Sequence, residues 1–313
     1  MKKLRIIGIL MAATLIFTAC SSETHSVSEE ESGTINVVTS FYGMNALTQE
    51  IAGDKVTIKN IIPEGSEPHD FELKAKDMKA VEECDIFIYN GADMEEWIPD
   101  VQAAINSENV IMVEASKGVE LINGNDTEAD QLTEVNSEEN HSDKDPHTWL
   151  GLNAAKIEAQ NIKAALVEKD PENGSYYESN YEIFEKKIDG IIEEYNPKFQ
   201  VLTNKNFITG HATFGYLCRD LGIVQHSIEG VFAEGEPSPK ELENLIVHCK
   251  ENNIKTIFVE ELVSPALSDT LAKEVGGTTQ QIYTLHSSED GKSFSEALRY
   301  NVEIIYKTLS KSE

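Results

Sequence analysis

The chain has 313 residues and a formal charge of −29, from 55 acidic against 26 basic side chains. That balance lacks the basic footprint of a nucleic-acid binder and argues DNA and RNA out as partners. It favours solubility and raises the local concentration of cations, and the length is enough for two domains.

The first residues read as an address. Lys2, Lys3 and Arg5 precede an apolar stretch from Ile6 to Thr18. The stretch is shorter than the about 20 residues a bilayer-spanning helix needs, and it suits a signal-peptide core. Phe17-Thr18-Ala19-Cys20 resembles a lipobox, which makes residues 1–19 a lipoprotein signal peptide and Cys20 the lipidated first residue of the mature chain. Residues 20–33 are polar and read as a flexible tether. Two or more acyl chains hold such an anchor stably on a membrane.

Beyond the tether, short β-branched runs alternate with helix-length segments. Strands are expected at 35–39, 56–62, 85–90 and 109–113, with helices at 41–51, 76–83 and 97–105. This is the rhythm of parallel β-α-β units. Residues 123–146 break it with eight acidic side chains and few apolar ones, the composition of a solvated loop. A helix is expected over 152–167. After Asp170-Pro171, a long amphipathic one over 175–195 carries Tyr181, Phe184, Ile188 and Ile192 and ends before Pro197. The α/β pattern then resumes: a strand at 206–209, a helix capped by Ser238 with Pro239 in its first turn, strands at 255–260 and 281–285, and a terminal helix at 294–309. The fold class is α/β, with two similar lobes of parallel sheet joined by one long rigid connector helix. The expected divisions are 34–172 for the N-terminal lobe, 173–199 for the connector and 200–313 for the C-terminal lobe.

Four cysteines are present. Cys20 is assigned to the lipid, and Cys84 lies in an apolar run as a small core residue. Whether Cys218 and Cys249 pair is open. No CxxC occurs, which argues against a thiolate zinc site.

Four histidines, His69, His147, His211 and His286, each follow a short apolar run that reads as a strand. The carboxyl ends of strands in an open α/β sheet converge on a ligand crevice. Imidazoles gathered there form a nitrogen-rich pocket, whose commonest guest is a transition metal. Singly, each histidine is better explained as a hydrogen-bonding group; the weight comes from four in comparable positions, two in each half. Asp70, Glu72, Asp145, Glu289 and Asp290 are near enough in sequence to fix imidazole tautomers. His25, His141, His226 and His248 stay outside this set.

Residues 63–72 with 90–97, then Asp145-Pro146-His147-Thr148-Trp149-Leu150, then Gly210-His211-Ala212-Thr213-Phe214-Gly215-Tyr216 resemble the ligand blocks of the metal-binding lipoproteins of zinc and manganese ABC transporters (cluster 9, class A-I). Glu236-Pro237-Ser238-Pro239, Phe258-Val259-Glu260-Glu261 and Ser264-Pro265 are further family-like segments, and the likeness covers about residues 33–310. The resemblance implies a metal between two lobes, with ligands at His69, His147 and His211. The family's fourth ligand is usually an acid; here the aligned position is His286, with Glu289 the alternative and Asp290 third. Imidazoles favour Zn²⁺, whereas Mn²⁺, the alternative cargo, favours carboxylates.

The implied function is an extracytoplasmic zinc carrier, anchored to the cell membrane through Cys20, monomeric, delivering metal to an ABC transporter permease without covalent chemistry. The rival class is a secreted zinc hydrolase, with Glu289 as base if only three histidines bind metal. HExxH and GxSxG are both absent. No sequence feature argues for cell adhesion.

Overall fold

The computed structural model describes residues 34–105, 109–124, 144–231, 237–262, 265–288 and 290–311. The leader, the tether with Cys20, and most of the acidic loop lie outside them.

The β-branched runs build two parallel sheets. The first holds β1 (Ile35–Thr39), β2 (Val56–Asn60), β3 (Ile86–Tyr89) and β4 (Ile111–Glu114) in the order β2-β1-β3-β4. The second holds β5 (Asn206–His211), β6 (Val224–Glu229), β7 (Thr256–Val259) and β8 (Thr278–Gln281) in the order β6-β5-β7-β8. The two lobes therefore share one topology. In each, the chain reverses its winding beside the first strand, which opens a crevice at the strand carboxyl ends.

The first lobe carries α1 (Tyr42–Ala52), α2 (Ala75–Glu82), α3 (Ile98–Ala104) and α4 (Leu152–Lys169). Asp170 then stops α4 and accepts hydrogen bonds from Asn173 and the Tyr177 hydroxyl. The long α5 (Gly174–Gln200) follows. The second lobe adds α6 (Gly215–Leu221), α7 (Pro239–Glu251), α8 (Pro265–Glu274) and α9 (Phe294–Leu309). Ser238 caps α7 reciprocally with Glu241, as the sequence leads one to expect.

Helix α5 buries Tyr177, Phe184, Ile188, Ile191, Tyr195 and Phe199 along one stripe. That stripe packs on α1 and α4 of the first lobe and on α9 of the second. One core cluster consequently runs through both lobes, from Val37 and Phe87 through Phe184 to Phe258 and Leu298. A smaller cluster around Ile208, Leu245, Ile257 and Leu271 backs the far face of the second sheet. Cys84, Cys218 and Cys249 are free and buried.

Two expectations are corrected, and one strand is added. Helix α5 continues through Pro197 to Gln200. The proline removes one N–H near the end of the helix, and burial of Phe199 and Leu202 holds the last turn. Strand β8 is Thr278–Gln281 rather than 281–285. Its polar residues suit an exposed edge, and Gly277 lets it approach β7, since a Cβ there would stand 1.9 Å from the Lys255 carbonyl oxygen. The apolar residues Ile282, Tyr283 and Leu285 fill the core just past the sheet. Strand β6, with the sequence Val-Gln-His-Ser-Ile-Glu, is an edge strand that the hydrophobic pattern did not mark.

Phe184 is fully buried, and its ring lies 6.0 Å from that of Phe294 on α9. Phe184→Ala is expected to destabilise the protein by about 3–5 kcal/mol, read as a lower midpoint in denaturant unfolding.

Candidate metal centre

The four histidines come from a strand end, the start of a 3-10 turn and two loops. His69 is half-buried in the loop between β2 and α2. His147 is fully buried at the start of a single 3-10 turn, Thr148–Leu150. His211 is the last residue of β5. His286 lies five residues past β8 and is buried. Only His211 follows its strand as directly as the sequence reading has it. Loops carry the other three to the crevice.

His147 is the most tightly fixed. Its main-chain N–H and its Nδ1 both donate to Asp145 Oδ1, at 2.9 and 2.8 Å. The carboxylate only accepts, so Nδ1 carries the proton and Nε2 offers its lone pair. Asn90, at the end of β3, accepts from the Thr148 hydroxyl and donates to the Pro146 carbonyl. Glu95 in turn accepts from the N–H groups of Asn90 and Gly91. From the other lobe, the Tyr216 hydroxyl donates to the Asp145 carbonyl at 2.6 Å.

In the second lobe, His211 Nε2 donates to the Val231 carbonyl at 2.7 Å, leaving Nδ1 as its free donor atom. Glu260, just past β7, accepts from the N–H groups of Gly210 and His211. The next residue, Glu261, accepts from the His286 N–H at 3.0 Å. His286 Nε2 is buried with no hydrogen-bond partner, and its ring stands 5.9 Å from Trp149 and 6.2 Å from Phe41.

His69, His147 and His211 bring one ring nitrogen each within 4.8 Å of one another. His69 Nε2 and His147 Nε2 are 3.3 Å apart. His286 stands outside that triad but close enough to feel it. Burial, then His147 and His211, hold its pKa well below the ordinary histidine range. Burial and His147 likewise push His211 down to about 3. Both imidazoles are therefore neutral at pH 7, the state a metal ligand needs.

Of the acids expected to orient the histidines, Asp145 does so. Asp70 and Glu72 are exposed, and Asp290 pairs with the Tyr283 hydroxyl and Lys292. Glu289 lies outside the described residues. His226 and His248 pair with one another across β6 and α7, ring centroids 4.1 Å apart. Sequence reasoning missed Glu95, Glu260 and Glu261 as supports. The signal for the last two was two adjacent acids at the carboxyl end of a strand.

Fold and pocket define a class: a two-lobed α/β metal-binding protein whose imidazoles meet where the two sheets' carboxyl ends face. The profile of the family described as "ZnuA: Zinc-uptake complex component A periplasmic" matches residues 37–308. The chain is 34% identical over 312 residues to a putative metal-binding protein of Treponema pallidum (strain Nichols), covering 99% of this chain and 98% of that one. It is 33% identical to the high-affinity zinc uptake system protein ZnuA of Bacillus subtilis (strain 168), covering 96% of each. Among solved structures, the laminin-binding protein Lmb of Streptococcus agalactiae, described as bifunctional with adhesin and metal transporting activity, matches with a TM-score of 0.77. The identity is 33%, over 88% of this chain and 99% of that one. The chain belongs to the ZnuA family, whose members are components of an uptake complex rather than enzymes.

Burial raises three carboxyls beneath the histidine loops: Glu95 to about 7, and Glu158 and Glu260 to about 8. Such a group holds a proton in the native state that the unfolded chain releases near 4.5. Stability is therefore lost as pH rises from about 4.5 toward 8. Glu158→Gln is expected to weaken that pH dependence, measured by denaturant unfolding across the window.

Proposed function

We propose that this chain binds Zn²⁺ outside the cytoplasm and delivers it to the permease of an ABC transporter. The ligands in this reading are His69 Nε2, His147 Nε2, His211 Nδ1 and His286 Nε2. The carrying observation is the 3.3 Å separation of the His69 and His147 Nε2 atoms. Two nitrogens bound tetrahedrally to zinc at about 2.0–2.1 Å lie about 3.3–3.4 Å apart. His211 brings a third ring nitrogen within 4.8 Å of both, which a hydrogen bond between two rings does not require. The unpartnered Nε2 of His286 supports a fourth donor. Glu289, the alternative fourth ligand, follows three residues later.

The same geometry favours zinc over manganese. Mn²⁺ prefers carboxylate oxygens, yet the carboxylates of Asp145, Glu260 and Glu261 are turned onto main-chain N–H groups. In this reading Cys20 carries the lipid and holds a monomeric carrier at the membrane surface, where the tether from 20 to 33 gives it reach. Both lobes then present their rims to the permease.

Competitive titration of a metal-stripped soluble form beginning at Ser21 tests the reading. Tight Zn²⁺ and weak Mn²⁺ binding is expected. His286→Ala should lose zinc affinity by about tenfold or more, and Asp145→Ala by about 10- to 100-fold. Preference for Mn²⁺, or a His286→Ala variant that binds as the parent does, overturns the four-histidine zinc site.

Protons compete with zinc for imidazole, so affinity falls on acidification. His211, held near 3, and His286, held low, stay deprotonated at pH 5. The loss between about pH 7.5 and 5 is therefore expected to be shallower than four ordinary histidines would give. Calorimetry at the two pH values reads it, and a rise in affinity at the lower one contradicts the assignment.

A further inference from the structure

The turn that delivers His286 does not hold its shape by local preference. Leu285 has φ +61, the left-handed region that a non-glycine residue adopts only under constraint. Its side chain is buried in the core, so the turn cannot relax by swinging it out. The constraint comes from Glu261. One oxygen of its carboxylate accepts from the Thr284 N–H at 3.2 Å. The other accepts from the Thr284 hydroxyl at 2.8 Å and the His286 N–H at 3.0 Å. Trp149 of the first lobe holds the same turn from the opposite side, its Nε1 donating to the Thr284 carbonyl at 2.9 Å. Strained backbone of this kind persists where surrounding contacts over-determine it, and it gathers at ligand clamps.

We propose that Glu261 is a positioning residue for the metal: its carboxylate pins the Thr284–His286 turn in its strained form and so stands the His286 imidazole in the pocket as the fourth donor. The proposal rests on the reading of His286 as a ligand. Among the described residues, its three hydrogen bonds go to residues 284 and 286. Together with Glu260, which holds His211 in the same manner, it places both second-lobe histidines from one point at the end of β7.

The test is a double-mutant cycle in the full mature chain with Glu261→Gln, His286→Ala and the pair. Glutamine keeps the volume but replaces one acceptor oxygen with a donating NH₂, which faces either Thr284 N–H or the N–H of His286. The readouts are the zinc dissociation constant by chelator competition and the metal-free unfolding midpoint. Glu261→Gln is expected to weaken zinc binding about tenfold in the parent and to leave it nearly unchanged in the His286→Ala background, because coupled residues are non-additive. An equal loss in both backgrounds means that Glu261 supports the fold alone, and overturns the proposal, as does no loss in the parent. His286→Ala binding zinc like the parent sinks the ligand reading instead, which separates the two failures. If Glu261→Gln lowers the unfolding midpoint too far to assay, Thr284→Val removes a single donor to the clamp. It is then expected to give a smaller loss with the same dependence on His286.

Discussion

A carboxyl group sits on the main-chain N–H of every histidine in the pocket. Glu67 holds His69, at 3.4 Å, and Asp145 holds His147. Glu260 holds His211, and Glu261 holds His286. Ring nitrogens of His69, His147 and His211 gathered within 4.8 Å lose hydration, and these backbone hydrogen bonds hold the loops that bear them. These hydrogen bonds act on the backbone behind each imidazole, and at His147 on the ring as well. The weakest of the four belongs to His69, the one histidine that is half-exposed.

That arrangement requires the two lobes to keep their spacing. Each lobe supplies two of the four histidines, so their spacing depends on how the two sheets are held. The continuous core through α5 supplies the rigidity. Polar ties reinforce it: Glu50 of α1 takes the Ser295 N–H of α9 and Lys187 of α5, and Glu64 reaches the Ser288 N–H.

Much of this was legible in the sequence. Strands with strong β-branched runs, such as Ile86–Tyr89, declare themselves because both faces are buried. Helix α5 does so because its apolar spacing is maintained over many turns. The three histidines that come together, His69, His147 and His211, were marked by their block resemblance. What escaped has physical reasons. Strand β8 is an exposed edge where polar residues are tolerated, and β6 is a buried edge whose polar side chains find partners, Gln225 on Thr209 and His211 and His226 on Asn206, so no hydrophobic period marks either. The polar supports escaped because a carboxylate that accepts from a main-chain N–H has no partner side chain to reveal it. Glu261 acts on residue 286 across 25 positions, and no local pattern encodes that reach.

The chain's large negative charge and its nitrogen-lined pocket then divide the work of recognition. The surface field draws any cation, hard or soft, and screens away beyond about 8–10 Å in salt. Discrimination has to occur in the pocket, where the choice is between nitrogen and oxygen donors. An acidic protein has oxygen in excess, and a pocket lined by free carboxylates would admit the hard, abundant ions. Turning those carboxyl groups onto the backbone removes their lone pairs from the pocket. The ion that gains most is one suited to neutral imidazole and a tetrahedral shell, and among the biological dications that description fits zinc.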